Sequence, residues 1–482
     1  MNTSNPNLHI LLFPFLAHGH IIPTIDMAKL FATKGVKSTI VTTPLNASLI
    51  SKAIEKSKPH HHNVIQIQTI EFPCEEAGLP KGCENMDSVP SQDLFLAFFH
   101  ATTLLQKPFE ELLLEQHPHC VIADAFYSWA TDSASKFGIP RIVFHGTCFF
   151  SLCASDCMGL YEPHKNVSSD SDSFLVPRLP GEIKMTRKDV PAFITNKENS
   201  TEFVKLLEDA KEAQARSYGV VVNSFYELEN VYADFYKNEF GRKAWPIGPV
   251  SLCNKDTGEK ANRGKETTIN EFECLKWLDT KKPNSVVYVS FGSLISMPDS
   301  QLREIALSLE TSGQRFIWLV KKNEKDGAEW LPEGFEKRME GKGLIIRGWA
   351  PQILILEHQA VGAFVTHCGW NSTLEAVAAG VPMITWPIVA EQFFNEKLVT
   401  EVLEIGVPVE AVKGVRLEGE CVGCDALEKA LKRVMIGEEA EEMRNKVKVL
   451  AQLAKQAVEE NGSSYSAFNA LIQELVSLSL SS

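Results

Sequence analysis

A short apolar run that ends on a tight turn and hands over to an amphipathic helix opens this chain and recurs after its midpoint. Few folds accept that pattern twice. The run His9–Phe13 leads to a helix over 22–34 that stops at Gly35, and Lys37–Thr42 is a second strand ended by Pro44. This β-turn-α-β opening predicts the start of a doubly wound parallel sheet. A helix over 93–115, a strand at 120–123, a helix over 129–137 stopped by Gly138, and strands at 141–144 and 220–224 extend it. Between 245 and 268, Pro246, Gly248, Pro249, Gly258 and Gly264 stand among charges, the composition of a linker. The pattern then restarts with a strand at 285–291, the turn Gly292-Ser293, a helix over 299–310 and strands at 316–320 and 344–347. At 482 residues the chain exceeds one ordinary core. Two Rossmann-like halves facing each other across a cleft are expected, spanning 1–244 and 269–462. Helices over 424–435 and 439–460 close the second half, and 466–480 is apolar at helical spacing.

The segment 349–392 concentrates polar residues at turns. VGAFVTHCG, 361–369, reads as a buried strand ending on glycine, and WNSTLEAVAAG as the helix after it. Leu374, Val377 and Ala378 form that helix's apolar stripe, and Gly380 and Pro382 stop it. Unpaired N–H groups and the macrodipole at its start favour negative charge, so a diphosphate beside His367, Asn371 and Ser372 is expected. Glu375 lies four residues after Asn371 on the same face, where a carboxylate accepts hydrogen bonds from both ribose hydroxyls. Trp349, next to Ala350 and Pro351, offers an aromatic face to a base. Each has a structural alternative: a Trp before a Pro-rich turn serves as core, and a strand-end His as a satisfied structural residue.

Taken together, the W-A-P-Q, H-C-G-W-N-S, Glu375 and final E-Q elements make 349–392 resemble the signature box of the plant secondary-product glycosyltransferases, the UDP-sugar-dependent family 1 enzymes. The resemblance covers nearly the whole chain and implies a GT-B fold. By the same resemblance Trp349, with Ala350 beside it, stacks on uracil, Gln352 helps hold the nucleoside, and Glu375 takes the ribose. His367, Asn371 and Ser372 take the diphosphate, while Trp370, Glu391 and Gln392 face the sugar. Gly292 and Ser293 resemble the second phosphate loop, and Gly19 is counted with the donor site. Gln392 at the last position goes with glucose in the family, where His often goes with galactose, so UDP-glucose is the expected co-substrate. UDP-galactose, UDP-xylose and a catalytically silent nucleotide-sugar binder are the alternatives.

Sugar transfer also needs a base for the acceptor and stabilisation of the departing diphosphate. His20 stands in FPFLAHGHIIP, in the loop expected between the first strand and its helix, where open α/β sheets bind ligands. Position alone fits a structural histidine equally well. The family's G-H-x-x-P element matches at Gly19, His20 and Pro23, which favours His20 over His18. Asp124, in DAFYSW after the strand CVIA, resembles the family's acidic residue that orients the imidazole; alone it reads as a loop or cap Asp. The resemblance implies a single in-line displacement with inversion and no metal, and a tail, 463–482, that packs back on the N-terminal domain. Phe15, Phe126, Phe144 and Phe149 lie at or after strand ends, as lining for a flat apolar acceptor or as core. FPFLAHGHIIP and VPRLPGEIKMT resemble the branch acting on flavonoids, other phenolics and triterpenoids. The expected acceptor is therefore a small apolar aglycone, through a hydroxyl or carboxyl.

Other classes fit less well. A net charge of −13 without a basic stripe argues against nucleic acid. No run of about 18 apolar residues predicts a membrane span, and MNTSNPN lacks the charged start of a signal peptide. Eleven cysteines without a framework suit reduced thiols, and the sequon at Asn371 falls in the expected phosphate site, so a cytoplasmic chain, taken as a monomer, is expected. The Asp170-Ser171-Asp172 triplet lies in a serine-rich loop and reads as solvated, Cys421 and Cys424 lack the second pair of a zinc ribbon, and His60 to His62 read as an exposed loop. A serine hydrolase is disfavoured because G-x-S-x-G is absent.

Overall fold

The computed structural model describes residues 8–57, 62, 64–195, 202–269, 271–322, 330–410 and 421–481. His60 and His61 of the expected exposed loop lie outside them. Along the first half run β1 (His9–Phe13), β2 (Lys37–Thr42), β3 (Ile65–Thr69), β4 (Cys120–Asp124), β5 (Arg141–His145), β6 (Ser173–Leu175), β7 (Lys184–Thr186), β8 (Gly219–Val222) and β9 (Ala244–Pro246). Leaving aside β6 and β7, which pair as an antiparallel hairpin, these form one parallel sheet in the order β3-β2-β1-β4-β5-β8-β9. β10 (Val286–Ser290), β11 (Arg315–Val320), β12 (Gly343–Arg347), β13 (Val361–Thr366), β14 (Met383–Thr385) and β15 (Gly406–Pro408) form a second parallel sheet, ordered β12-β11-β10-β13-β14-β15.

Both orders are doubly wound: the chain steps outward from a central strand, then crosses back and continues on its other side. Ligands of such sheets bind outside the carboxyl ends of the strands where the direction reverses. Those points are β1/β4 in the first sheet and β10/β13 in the second. The central strands qualify because every residue of β1, β4, β10 and β13 is buried.

The described residues divide into two compact units, one drawn from Met1–Phe149, Asn196–Gly264 and Gln456–Ser482, the other from Phe150–Thr195 and Lys265–Lys455. This grouping differs from the boundaries expected along the sequence: 150–195 and 265–268 belong with the second unit, and 456–462 and 245–264 with the first. The latter stretch carries β9, a 3-10 turn at Val250–Cys253 and a helix at Thr257–Ala261. It is fastened to the helix His18–Thr33: Asn254 Nδ2 donates to the buried Asp26 Oδ1 at 2.8 Å, Arg263 Nε to Asp26 Oδ2 at 2.7 Å, and Lys29 Nζ to Asn254 Oδ1 at 2.7 Å. A buried carboxylate with a guanidinium and an amide on it loses several kcal/mol if either partner is removed.

In the first unit the helix Ser463–Ser481 buries Phe468, Leu471, Ile472 and Leu475 against Ile10, Leu12, Phe31 and Trp245. Each such side chain contributes about 1.5–3 kcal/mol. Two helices differ from expectation. The stretch 93–115 is broken at Leu105 into Phe95–Leu104 and Gln106–Gln116, because Pro108 lacks an N–H and its ring crowds the carbonyl four residues back. The first long helix starts at His18, one turn earlier than expected, and carries Pro23 inside it. His20 thus stands in a helical first turn rather than a loop. Among the described residues no helix is long and apolar enough to cross a membrane.

Candidate active site

At the β1/β4 switch point of the first unit, β4 ends on Asp124, whose side chain is fully buried. The His18–Thr33 helix begins directly after β1 and turns His20 toward it. His20 Nδ1 and Asp124 Oδ2 stand 2.6 Å apart. The other carboxylate oxygen accepts the Phe126 N–H at 3.1 Å, so the carboxylate is held from two sides. Since an ionised carboxylate only accepts, Nδ1 carries the proton and Nε2 is left as the basic nitrogen. Gly146, one residue past β5, lies beneath the ring: a Cβ there would meet His20 Cε1 at 3.2 Å. Phe15 packs edge-on to the imidazole with centroids 5.5 Å apart, and Phe126 lies 5.8 Å away. A quarter-exposed imidazole on a buried carboxylate is the arrangement of a general base with its orienter.

Neighbouring His18 is spent otherwise: it is buried, with Nδ1 3.2 Å from Asp87 Oδ2. Of the four phenylalanines read either as acceptor lining or as core, Phe15, Phe144 and Phe149 are buried, which is the core alternative. Phe126 alone is half-buried, and Phe99 and Phe15 pack on it. Gly19 is exposed at the helix start.

At its own switch point the second unit brings together residues expected at the donor. β10 runs into Phe291, Gly292 and the half-buried Ser293; β13 runs into His367 and the helix Trp370–Ala379. The His367 imidazole fits only because glycines flank it. A Cβ at Gly369 would lie 2.4 Å from its Nε2, and one at Gly292, where φ is +74°, 2.6 Å from its Cε1. Burial, with Lys321 adding to it, pushes the His367 pKa down to about 4, so the ring is neutral at pH 7. Its Nδ1 is buried without a hydrogen-bond partner among the described residues. The helix's first internal bond is Thr373 N to Gly369 O at 3.0 Å, so Trp370, Asn371 and Ser372 stand at its electropositive N-terminal end.

Gln352, expected beside the nucleoside, bonds two of the other expected donor residues. Its Nε2 donates to Ser372 Oγ at 3.1 Å and to Glu375 Oε2 at 2.8 Å, while Tyr288 donates to its Oε1 at 3.3 Å. Glu375, 7% exposed, is thereby fixed one helical turn below Asn371. Trp349 is half-buried, and its carbonyl accepts the Thr268 N–H at 3.0 Å; Ala350 is buried and takes the Gln352 N–H at 2.9 Å. The Trp370 indole, expected to face the sugar, is buried. Gln392 Oε1 accepts the amides of Ile388 and Val389, both at 2.9 Å, which leaves the Nε2 end of its amide as the donor. Glu391 Oε1 lies 3.4 Å from Asn395 Nδ2, which also donates to Cys368 O at 2.8 Å.

Sequence reasoning gave no role to Gly146, read Gly369 only as the glycine that closes its strand, and missed Tyr288, Asn395 and Arg141. Glycines just past strand ends were the available signal for the first two; the others meet their partners only in the fold. Asp170 pairs with Arg187 at 3.0 Å and Asp172 folds back on Ser169, while Cys421 and Cys424 contact Ser300 and Asp425. No cluster of three metal-ligating side chains occurs among the described residues.

Comparison with known proteins finds two matching families. The one described as "UDP-glucoronosyl and UDP-glucosyl transferase" matches residues 171–456, and "Glycosyltransferase, N-terminal domain" matches residues 7–252. The UDP-glucose flavonoid 3-O-glucosyltransferase 7 of Fragaria ananassa is 58% identical over 478 residues, 97% of this chain and 96% of its own. The scopoletin glucosyltransferase of Nicotiana tabacum is 54% identical, covering 97% and 98%. Among solved structures, Glycyrrhiza uralensis UGT73P12, complexed with glycyrrhetinic acid 3-O-monoglucuronide, superposes with a TM-score of 0.91 at 40% identity, covering 99% of this chain and 97% of that one.

Proposed function

The chain belongs to the plant family 1 UDP-glycosyltransferases, which are GT-B enzymes, and from that premise we propose that it moves glucose from UDP-glucose to a hydroxyl of a small phenolic aglycone, inverting the anomeric carbon. The observation that carries the reading is the 2.6 Å contact between His20 Nδ1 and Asp124 Oδ2.

His20 Nε2 takes the acceptor hydroxyl proton as the acceptor oxygen attacks the anomeric carbon. The carbon–oxygen bond to the diphosphate breaks with its electron pair, and UDP departs. Asp124 stabilises the imidazolium that forms. The amides at the start of the Trp370–Ala379 helix receive the negative charge of the diphosphate, and His367 serves there as a hydrogen-bonding partner. Trp349 faces uracil and Glu375 the ribose. Glu391, Gln392 and the backbone at Trp370 address the sugar, Ala350 lies beside the base, and Gly19 and Ser293 border the phosphates. The scheme runs without a metal. The first compact unit serves the acceptor and the second the donor.

Support for a phenolic acceptor comes from the relatives named for a flavonoid, scopoletin and an anthocyanin. A triterpenoid is the second reading, favoured by the likeness to the protein solved with a glycyrrhetinic acid glucuronide. An acceptor panel of both classes, run with UDP-glucose, UDP-galactose and UDP-xylose and read by mass spectrometry, tests the assignment. Phenolic glucosides are expected. Transfer to triterpenoids alone would shift the acceptor class, and exclusive use of another sugar would remove Gln392 as the mark of glucose.

A further inference from the structure

One buried cation in the first unit has no part in the chemistry above. Arg141 opens β5 at 3% exposure, and its side chain runs along the sheet toward the carboxyl ends of the strands. There its Nη2 donates to the main-chain carbonyl of Asp124 at 2.7 Å, and its Nη1 donates to Thr131 Oγ1 at 2.5 Å. Thr131 lies on the helix Trp129–Lys136 and passes the connection on to Ala213 O at 3.1 Å. Nε is buried and has no acceptor among the described residues, so two bonds anchor the whole group.

That carbonyl is the hinge of the catalytic turn. It also accepts the Tyr127 N–H at 3.2 Å, while the Asp124 side chain accepts the Phe126 N–H and faces His20. Strand, turn and helix start are thus tied at one residue. We propose that Arg141 is a positioning residue of the transfer reaction: its planar guanidinium, bonded to Asp124 O and Thr131 Oγ1, fixes the turn that aims the Asp124 carboxylate at His20 Nδ1. A guanidinium suits this because its two nitrogens hold a set separation between the strand end and the helix, which a flexible ammonium does not. Burying it carries a heavy desolvation cost, and an apolar residue would complete the start of β5 equally well. Burial first, with Arg216 adding to it, pulls the Arg141 pKa down to about 10, while Asp124 and Asp132 act in the opposite direction. The other charged groups near it are Asp132 and Arg216, which pair with each other at the surface.

This inference rests on His20 and Asp124 acting as base and orienter. Its test reads the short His20–Asp124 bond directly, as the far-downfield Nδ1–H proton resonance identified by its loss in His20→Ala. In Thr131→Val, which removes one anchor and keeps the cation, and in Arg141→Met, the resonance should move upfield or broaden away. kcat should fall by about tenfold for Thr131→Val and about 100-fold for Arg141→Met, with KM for UDP-glucose unchanged. Thr131→Ser, which keeps the hydroxyl, should restore both. A structural arginine would lower the melting temperature and the folded fraction while leaving the resonance of the folded protein at its wild-type position; that result overturns the proposal. Should Arg141→Met fail to fold, Thr131→Val and Thr131→Ser decide alone. If the wild-type protein transfers no sugar, the functional reading falls, while the resonance still reports on Arg141.

Discussion

Replacing Gly369 by alanine isolates the steric condition on which the diphosphate end of the site depends. Gly369 has φ −60° and ψ 135°, a conformation alanine adopts freely, so the substitution brings no backbone strain. What it brings is a methyl group 2.4 Å from His367 Nε2 and 2.9 Å from Cε1, where ordinary contact begins at 3.4 Å. The ring must therefore retreat by about 1 Å, the difference between 3.4 and 2.4 Å. Gly292 also lies against Cε1 and Nε2, which restricts that movement. Overpacking of this kind costs about 1–3 kcal/mol, and a 1 Å displacement at a site of charge development lowers turnover by about 100-fold. Urea unfolding, calorimetric titration with UDP and steady-state kinetics measure the three consequences. The double variant Gly369→Ala with His367→Ala removes the colliding ring, so Gly369→Ala should cost much less stability in that background than alone. Wild-type stability and UDP affinity in Gly369→Ala, or equal cost in both backgrounds, would refute the reasoning.

Further outcomes follow from other parts of the molecule. Asp124→Asn keeps the shape of the orienter and removes its charge, so kcat should fall by about 10³–10⁴ with KM for UDP-glucose little changed; undiminished turnover would remove Asp124 from the mechanism. Activity should survive exhaustive chelation, and a strict requirement for added divalent metal would overturn the metal-free scheme. Burial, then Lys37 and His119, pushes the His9 pKa down to about 4 from 6.5. On acidification the unfolded chain takes up that proton first, so stability is lost between about pH 6.5 and pH 4, by roughly 3 kcal/mol at most. Glu396, raised to about 7 by burial, acts in the opposite sense over pH 7 to 4.5. His9→Gln should therefore flatten the acid loss of urea stability relative to wild type, and an identical pH slope would contradict the assignment.

How much of this was legible in the sequence depended on how local the determining contacts are. β1, β4, β10 and β13 are mostly apolar and buried along their whole length, and their residues announce it. The edge strand β3 is IQIQT, with Gln66 and Gln68 in a half-solvated position, and β9 and β14 are three residues long, so neither composition nor length marked them. Pro23 concealed the true start of the first helix. The donor residues were readable because one contiguous segment carries Trp349, Gln352, His367, Glu375 and Gln392, and the fold bonds Gln352 to Glu375 within it. The acceptor side is assembled over distance. Asp124 lies 104 residues from His20, and Arg141 is distinguished from any strand-opening residue only by reaching the Asp124 carbonyl. The aromatic residues sorted themselves by burial alone, a quantity that spacing does not contain: Phe144 and Phe149 went to the core and Phe126 stayed half-buried.

The central claim is that His20 removes the acceptor proton while a separate set of residues holds the nucleotide. Paired measurements on His20→Ala test it most directly: UDP affinity by calorimetry and glucoside formation from UDP-glucose by mass spectrometry. The account predicts UDP affinity close to wild type and no detectable transfer. Turnover at the wild-type rate, or loss of UDP binding together with activity, would contradict it.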